Sequence, residues 1–216
     1  MPMLVRAPPL TSQEVNMSRR LRILAGLAGV ALAGSLVVVA QSANAQVEPG
    51  PWKPANPGFK VQQFGCGKVN GLTFQLTCGN KSGQQRAERR YETYSSGTHQ
   101  FEGDFKITSM GGSRISLKQT FKTSGPFFLL AVEHGGRLYA VENGNTLGSG
   151  ATVGTTVRVN TVHTPGQNLK VYINGSLKGT FSSPKGSYYD KFGAYRTGSG
   201  YGPITVQWSN IQFWTK

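Results

Sequence analysis

Three short stretches carry residue types and spacings that could do chemistry. In RAERRYETY (86–94), period-two alternation places Arg86, Glu88 and Arg90 on one face of a strand. Two guanidiniums flanking a carboxylate form a self-compensated cluster. The carboxylate holds the arginine forks while their outer N–H groups take an anionic ligand. A solvated strand face with cross-strand ion pairs, each worth little, has the same local pattern. Arg89 then points the other way, which suits a sheet edge, a bulge or a helical turn. In YYDKFGAYRTG (188–198), Tyr189, Lys191, Gly193 and Tyr195 share one side, and Asp190, Phe192 and Ala194 the other. Lys191 and Tyr195 would be about 13 Å apart, a spacing for neighbouring units of a polymer and not for one atom. Phe192 and Ala194 read as core, and Gly193 as space for a ligand on the wet side. A plain exposed sheet face is locally indistinguishable. In RISLKQTF (114–121), Ile115, Leu117, Gln119 and Phe121 share a face, with Arg114, Lys118 and Lys122 opposite. By pattern alone Gln119 points to an apolar face and reads equally as a satisfied core amide.

The elements that must position these residues are strands. Short runs rich in Val, Ile, Thr, Phe and Tyr, bounded by Gly, Asn, Pro and Ser, recur from LTFQLTC to ITVQWSNIQFW. The best helical candidate is a turn or two around 82–90. Asn174-Gly175, between KVYI and SLKG, signals a hairpin, because this dipeptide accepts the positive φ values of a type I′ turn. No internal repeat is present. The expected fold is all-β, a two-sheet antiparallel β-sandwich (jelly roll) with a concave groove. Residues 46–58 read as a Pro-rich arm and residues 59–216 as the β-jelly-roll domain.

Residues 1–45 read as an N-terminal extension followed by a signal peptide. Arg19, Arg20 and Arg22 precede an apolar run that ends in small residues at ANA, and Met17 is the better initiator. The expected protein is secreted, a monomer, and without a membrane association after cleavage. The chain of 216 residues has a formal net charge of +14, and residues 46–216 carry 19 Lys and Arg against 8 Asp and Glu. Such an excess draws polyanions to a surface. Cys66 and Cys78 are the only cysteines, and in an oxidising compartment they are expected to pair. No metal site and no cofactor is implied.

Together the three stretches resemble the alginate-lyase and glucuronan-lyase group of β-jelly-roll polysaccharide lyases. That group carries an R-[ST]-E-[LV]-R strand, a Q-[IV]-H strand and a Y-F-K-x-G-x-Y strand. RAERR matches the first at Arg86, Glu88 and Arg90. QTF matches the second only at Gln119. YDKFGAY matches the third at Tyr189, Lys191, Gly193 and Tyr195. The likeness spans about residues 59–215 and implies β-elimination on an acidic polysaccharide. It makes Gln119 and Arg86 the contacts that neutralise the uronate carboxylate, as an oxyanion hole would. It makes Tyr195 the proton-transfer residue, helped by nearby Arg86 or Arg90. Glu88, Arg90, Lys191 and Tyr189 become substrate-binding residues.

Phe121 stands where the group's motif has histidine. In that group the histidine neutralises the carboxylate, or serves as base when the C5 proton and the leaving oxygen lie on opposite sides, as in α-L-guluronate. Its loss favours syn elimination, and so glucuronan, then polymannuronate. His99, His134 or His163 could supply an imidazole from another strand, with His99 and His134 the expected substrate contacts. The runner-up is a non-catalytic acidic-carbohydrate-binding protein with Trp52, Tyr94, Tyr188 and Tyr201 stacking on sugars, and Trp208 and Trp214 in strand packing. Nucleic acid is not the expected partner, because the basic residues are scattered and not gathered on one strand.

Overall fold

β-branched and aromatic runs punctuated by glycine favour extended chain, and the computed structural model, which describes residues 47–216, shows fifteen strands and no helix among them. In chain order they are β1 (Lys53–Ala55), β2 (Phe59–Phe64), β3 (Gly67–Asn70), β4 (Thr73–Leu76), β5 (Arg86–Tyr94), β6 (His99–Met110), β7 (Arg114–Lys122) and β8 (Gly125–Glu133). They continue with β9 (Leu138–Ala140), β10 (Thr146–Gly148), β11 (Thr156–Thr164), β12 (Asn168–Ile173), β13 (Ser176–Ser182), β14 (Tyr188–Tyr195) and β15 (Ile204–Thr215). The expected signal peptide lies outside the described residues. One sheet runs β13-β12-β11-β6-β15-β4-β3, with β1 added on β15. The other runs β10-β9-β8-β7-β14-β5-β2. The pairings are antiparallel throughout, and the two sheets pack as a sandwich.

Residues 86–94 form a strand and no helical turn, because β5 is hydrogen-bonded on both sides, to β14 and to β2. The hairpin at 174–175 is present, with Asn174 at φ 50° and Gly175 at φ 78°. The Pro-rich arm is tied down. β1 pairs with β15, Trp52 is buried beside Trp214, and the Glu48 carboxylate accepts from Lys170 Nζ at 2.8 Å and from Tyr172 OH at 2.7 Å. The disulfide is formed, Cys66 to Cys78, and ties the turn after β2 to the end of β4 in the opposite sheet.

Phe192 is the hub between the sheets. Its ring centroid lies 4.9 Å from Trp208, 5.5 Å from Phe74, and 5.7 Å from both Tyr91 and Phe101. The burial of Phe192 and Ala194 fixes the parity of β14, so Lys191 and Tyr195 face away from the core. Gly193 was expected to leave room for a ligand. The structure gives another reason: a Cβ there would lie 2.2 Å from the Ala87 carbonyl and 2.8 Å from Phe74 Cδ1, at φ 142°. Close approach of backbone and core requires the glycine.

Parity is broken once in β7. Ser116 pairs with Ala131 and Lys118 with Leu130, so Leu117 is the extra residue of a bulge. Ile115 and Leu117 face the core, Lys118 also turns inward, and Gln119 is sent outward. A second irregularity lies opposite Tyr189 and Lys191 on β5, where Thr93 and Arg90 are their partners. Beyond it Tyr94 turns inward.

Inside the sandwich, behind Gln119 and Lys191, lies a buried polar network. Lys118 Nζ donates to Asp190 Oδ1 at 2.5 Å, and Thr120 Oγ1 donates to the same oxygen at 2.8 Å. Tyr94 OH is 2.8 Å from His163 Nδ1, and His163 Nε2 is 2.8 Å from Ser183 Oγ. Burial pushes the His163 imidazole from 6.5 down to about 4, against the pull of Asp190. Between those values the unfolded chain binds the extra proton, so acidification through this window lowers stability by about 3 kcal/mol. The stability gap between the wild type and His163→Gln, followed by denaturant unfolding, should narrow by that amount as pH falls through the window. Parallel curves would show that His163 is not the titrating group. Replacing both cysteines by alanine should cost about 2–4 kcal/mol in the same assay, if the loop closure acts on the unfolded chain as expected.

Candidate functional site

The outward face of the seven-stranded sheet gathers all three sequence stretches. Cα pairing aligns Lys60, Arg90, Lys191, Gln119 and Leu129 in one row across β2, β5, β14, β7 and β8. A second row holds Phe64, Arg86, Tyr195, Ser116 and Ala131. Between them Gln62 pairs with Glu88, and Glu88 with Gly193.

Glu88 is the centre of this face and is 1% exposed. The Gln119 side-chain amide donates to its Oε1, Lys191 Nζ is 3.6 Å from its Oε2, and Arg86 Nε is 4.0 Å from the same oxygen. The expectation that Glu88 holds both arginine forks is therefore corrected. Its nearest partners are Gln119 and Lys191, and Arg90 lies over the Tyr189 ring at 4.0 Å. The Arg86 guanidinium lies 5.3 Å from the centroid of the Tyr195 ring. Phe121 stacks on Tyr189 with centroids 5.3 Å apart, and Lys191 Nζ is 5.2 Å from the Phe121 ring.

The electrostatics follow from burial. Desolvation raises the Glu88 carboxyl above the ordinary range, against the opposing pull of Lys191, Arg86 and the Gln119 amide. Desolvation lowers the Lys191 ammonium, and Arg86 and Arg90 add to this while Glu88 opposes it. Burial also raises the Tyr189 phenol, with Arg90 and Arg86 opposing. Arg86 Nε, Arg90 Nε, Glu88 Oε2 and Gln62 Oε1 are buried with no hydrogen-bond partner. An unpaired donor on a cationic face is costly unless an anionic ligand meets it. The arrangement can bind a carboxylate with the Gln119 amide, Arg86 and Lys191, and it places a guanidinium over the Tyr195 ring.

The histidines lie elsewhere. His99 is on β6 of the other sheet, stacked on Tyr94 at 3.9 Å with its Nε2 2.8 Å from the Ser96 carbonyl. His134 lies just after β8, with its Nδ1 3.0 Å from the Gly112 carbonyl, beside Arg114 and Tyr201. His163 is buried in the inner network. None of the three contacts the Glu88 cluster, because parity and sheet assignment put them on other surfaces. Trp52 and Tyr188 are buried, and Tyr94 points inward, so these proposed stacking platforms are core residues. Trp208 and Trp214 pack in the interior as expected. Arg89 reaches past the edge of the sheet, donating to the Gly71 carbonyl at 2.8 Å and covering the Phe59 ring. Lys60 and Gln62 belong to this face and escape the sequence reading. Their alternation in FKVQQF was visible, but the pairing of β2 with β5 was not.

The same architecture is found in solved alginate lyases. The chain is similar to an alginate lyase from Corynebacterium sp., with 22% identity, a TM-score of 0.57, and coverage of 69% of this chain and 81% of that one. It is similar to alginate lyase AlgAT5 of polysaccharide lyase family 7, with 24% identity, a TM-score of 0.56, and coverage of 76% and 94%. It is similar to an alginate lyase from Pseudomonas aeruginosa, with 16% identity, a TM-score of 0.55, and coverage of 72% and 88%. No family model and no curated protein matches the chain. At these identities the likeness establishes the fold: an alginate-lyase-like β-sandwich.

Glu88 provides the counter-charge for a buried Lys191. Glu88→Leu should therefore destabilise the fold by about 3–5 kcal/mol in denaturant titration, because it strands a desolvated ammonium. Unchanged stability would mean that the pair is solvated in solution.

Proposed function

We propose that this protein is a secreted polysaccharide lyase that cleaves a β-1,4-linked polyuronate by syn β-elimination, with glucuronan favoured over polymannuronate. The observation that carries this reading is the Glu88-centred cluster. It brings the Gln119 amide, Arg86, Lys191 and Tyr195 onto one outward face, with Arg86 stacked on Tyr195. The fold shared with proteins titled alginate lyases supports the reaction class. The disulfide supports an oxidising, extracytoplasmic setting.

The chemistry uses these groups in order. The uronate carboxylate beside C5 opposes removal of the C5 proton. Gln119 and Arg86 bind that carboxylate and stabilise the charge that develops on it in the transition state. The Tyr195 oxygen takes the C5 proton. The C–H electron pair becomes the C4–C5 double bond and the C4–O4 bond breaks. The same tyrosine returns its proton to the departing oxygen. Arg86 lies over the Tyr195 ring, beside the group that moves the proton. Lys191, Arg90 and Tyr189 line the adjoining surface for the polymer.

Phe121 supports the syn course. It lies on the same face, stacked on Tyr189, and the three histidines are elsewhere. With no imidazole in the cluster, one tyrosine serves both proton transfers. That suits β-D-glucuronate and β-D-mannuronate, whose C5 proton and leaving oxygen share a side of the ring.

Incubation with glucuronan, polymannuronate and polyguluronate, followed by ultraviolet absorbance of the unsaturated product, tests this directly. The expected order of rates is glucuronan, then polymannuronate, with polyguluronate slowest. Binding to these polymers with no product from any of them would replace the enzyme by a carbohydrate-binding protein. Tyr195→Phe should lower turnover by roughly 10²-fold or more with little change in polymer affinity. Retained turnover would reject Tyr195 as the proton carrier.

A further inference from the structure

We infer that the buried Lys118–Asp190 pair is a positioning device that holds Gln119 and Lys191 in register for turnover. This rests on the lyase reading given above.

The geometry places the pair directly behind the site. Lys118 and Thr120 flank Gln119 in β7, and Asp190 lies between Tyr189 and Lys191 in β14. Phe192 pairs with Lys118, Lys191 with Gln119, and Asp190 with Thr120. Beyond its bond to Asp190, Lys118 Nζ donates to the main-chain carbonyl of Gln119 at 3.0 Å, and it lies 3.3 Å from Thr120 Oγ1. Tyr94 OH reaches Asp190 Oδ2 at 3.5 Å, from β5. The inner network therefore touches the three strands that carry Arg86, Gln119 and Lys191, and it grips the backbone of Gln119 itself.

Register needs such a device here. The β7 bulge at Leu117 and the β5 irregularity just after Arg90 bracket the Gln119–Lys191–Arg90 row. A one-residue slip would turn the whole row inward. Apolar packing tolerates sliding, but a slip that parts Lys118 from Asp190 leaves two unpaired charges in the core. Lys118 is fully buried over the Phe101 ring. Burial pushes the Asp190 carboxyl up, yet Lys118 and Thr120 outweigh it and hold the group below the usual range. A buried ion pair of this kind adds little net stability relative to apolar side chains, and its best-attested use is to specify registry. The polar residues Thr120 and Asp190 also stand where the lyase motifs carry Ile or Val and Phe, so the pair is a feature of this chain's own interior.

The test compares the wild type with the double variant Lys118→Met, Asp190→Leu, which replaces both charges by apolar groups. The expected result is a melting temperature equal to or above that of the wild type. Against the polyuronate that the wild type cleaves, kcat should fall by roughly 10- to 10²-fold with KM nearly unchanged, as for a misplaced catalytic group. Wild-type kcat in a folded double variant overturns the inference. A double variant that unfolds also overturns it, because the pair would then be a stability element. Thr120→Val, close in volume, removes one arm of the network and should lower kcat by a smaller factor at unchanged melting temperature. The NMR signal of the Gln119 side-chain amide gives a readout independent of turnover. It should be sharp and slow to exchange in the wild type, and broadened in the double variant. If no polyuronate is cleaved, the lyase reading fails alone. The amide signal still decides the positioning role, and an unaltered signal rejects it.

Discussion

The packing of Phe192 against Trp208, Phe74, Tyr91 and Phe101 is the contact on which the remaining geometry depends. β14 lies in the middle of its sheet, with β7 on one side and β5 on the other. Once Phe192 is buried, alternation leaves no choice for its neighbours. Asp190 and Ala194 go inward, and Tyr189, Lys191 and Tyr195 go outward. Antiparallel pairing then brings Gln119 and Arg90 beside Lys191, and Arg86 beside Tyr195. A single hydrophobic anchor thus sets the composition of a polar surface on the other side of the sheet.

Two ion pairs occupy opposite faces of the same strands and serve different ends. On the outward face Lys191 and Glu88 are nearly dehydrated, with Gln119 and Arg86 completing the cluster. Two buried donors there, Arg86 Nε and Arg90 Nε, lack hydrogen-bond partners, which disfavours the free state and favours an anion that supplies the missing acceptors. On the inward face Lys118 and Asp190 satisfy each other and Thr120. Desolvation makes both pairs poor sources of stability. The core of aromatic and aliphatic side chains provides that, and the surplus supports a site whose groups are held dry and in place.

Much of the architecture was legible from local chemistry. Alternating runs, glycine punctuation and Asn174-Gly175 indicated strands, a hairpin and a sandwich, because period-two patterning and positive φ are properties of short segments. The two cysteines indicated a disulfide by count and setting. Arg86, Glu88 and Arg90 could be put on one face for the same reason. Less legible were the partners. Whether β2 lies beside β5, and so whether Lys60 and Gln62 join the site, depends on pairing between segments distant in the chain. From sequence the inward Tyr94 and the buried Tyr188 and Trp52 pass equally for sugar-stacking residues, because aromatic residues look alike whether they meet a sugar or a core.

Gln119 shows the division most clearly. Alternation from Ile115 and Leu117 carries it to the core face, and no residue in RISLKQTF announces otherwise. The bulge at Leu117 reverses the parity, so that Lys118 turns inward to Asp190 and Gln119 turns outward beside Lys191. By itself the sequence determined the strands, the basic charge, the disulfide and the residue types available for chemistry, all of which follow from composition and short-range periodicity. The tertiary structure decided which way Gln119 points, what Glu88 binds and where the histidines go. Those outcomes depend on strand register and sheet assignment, and register is set by contacts between residues far apart in the chain.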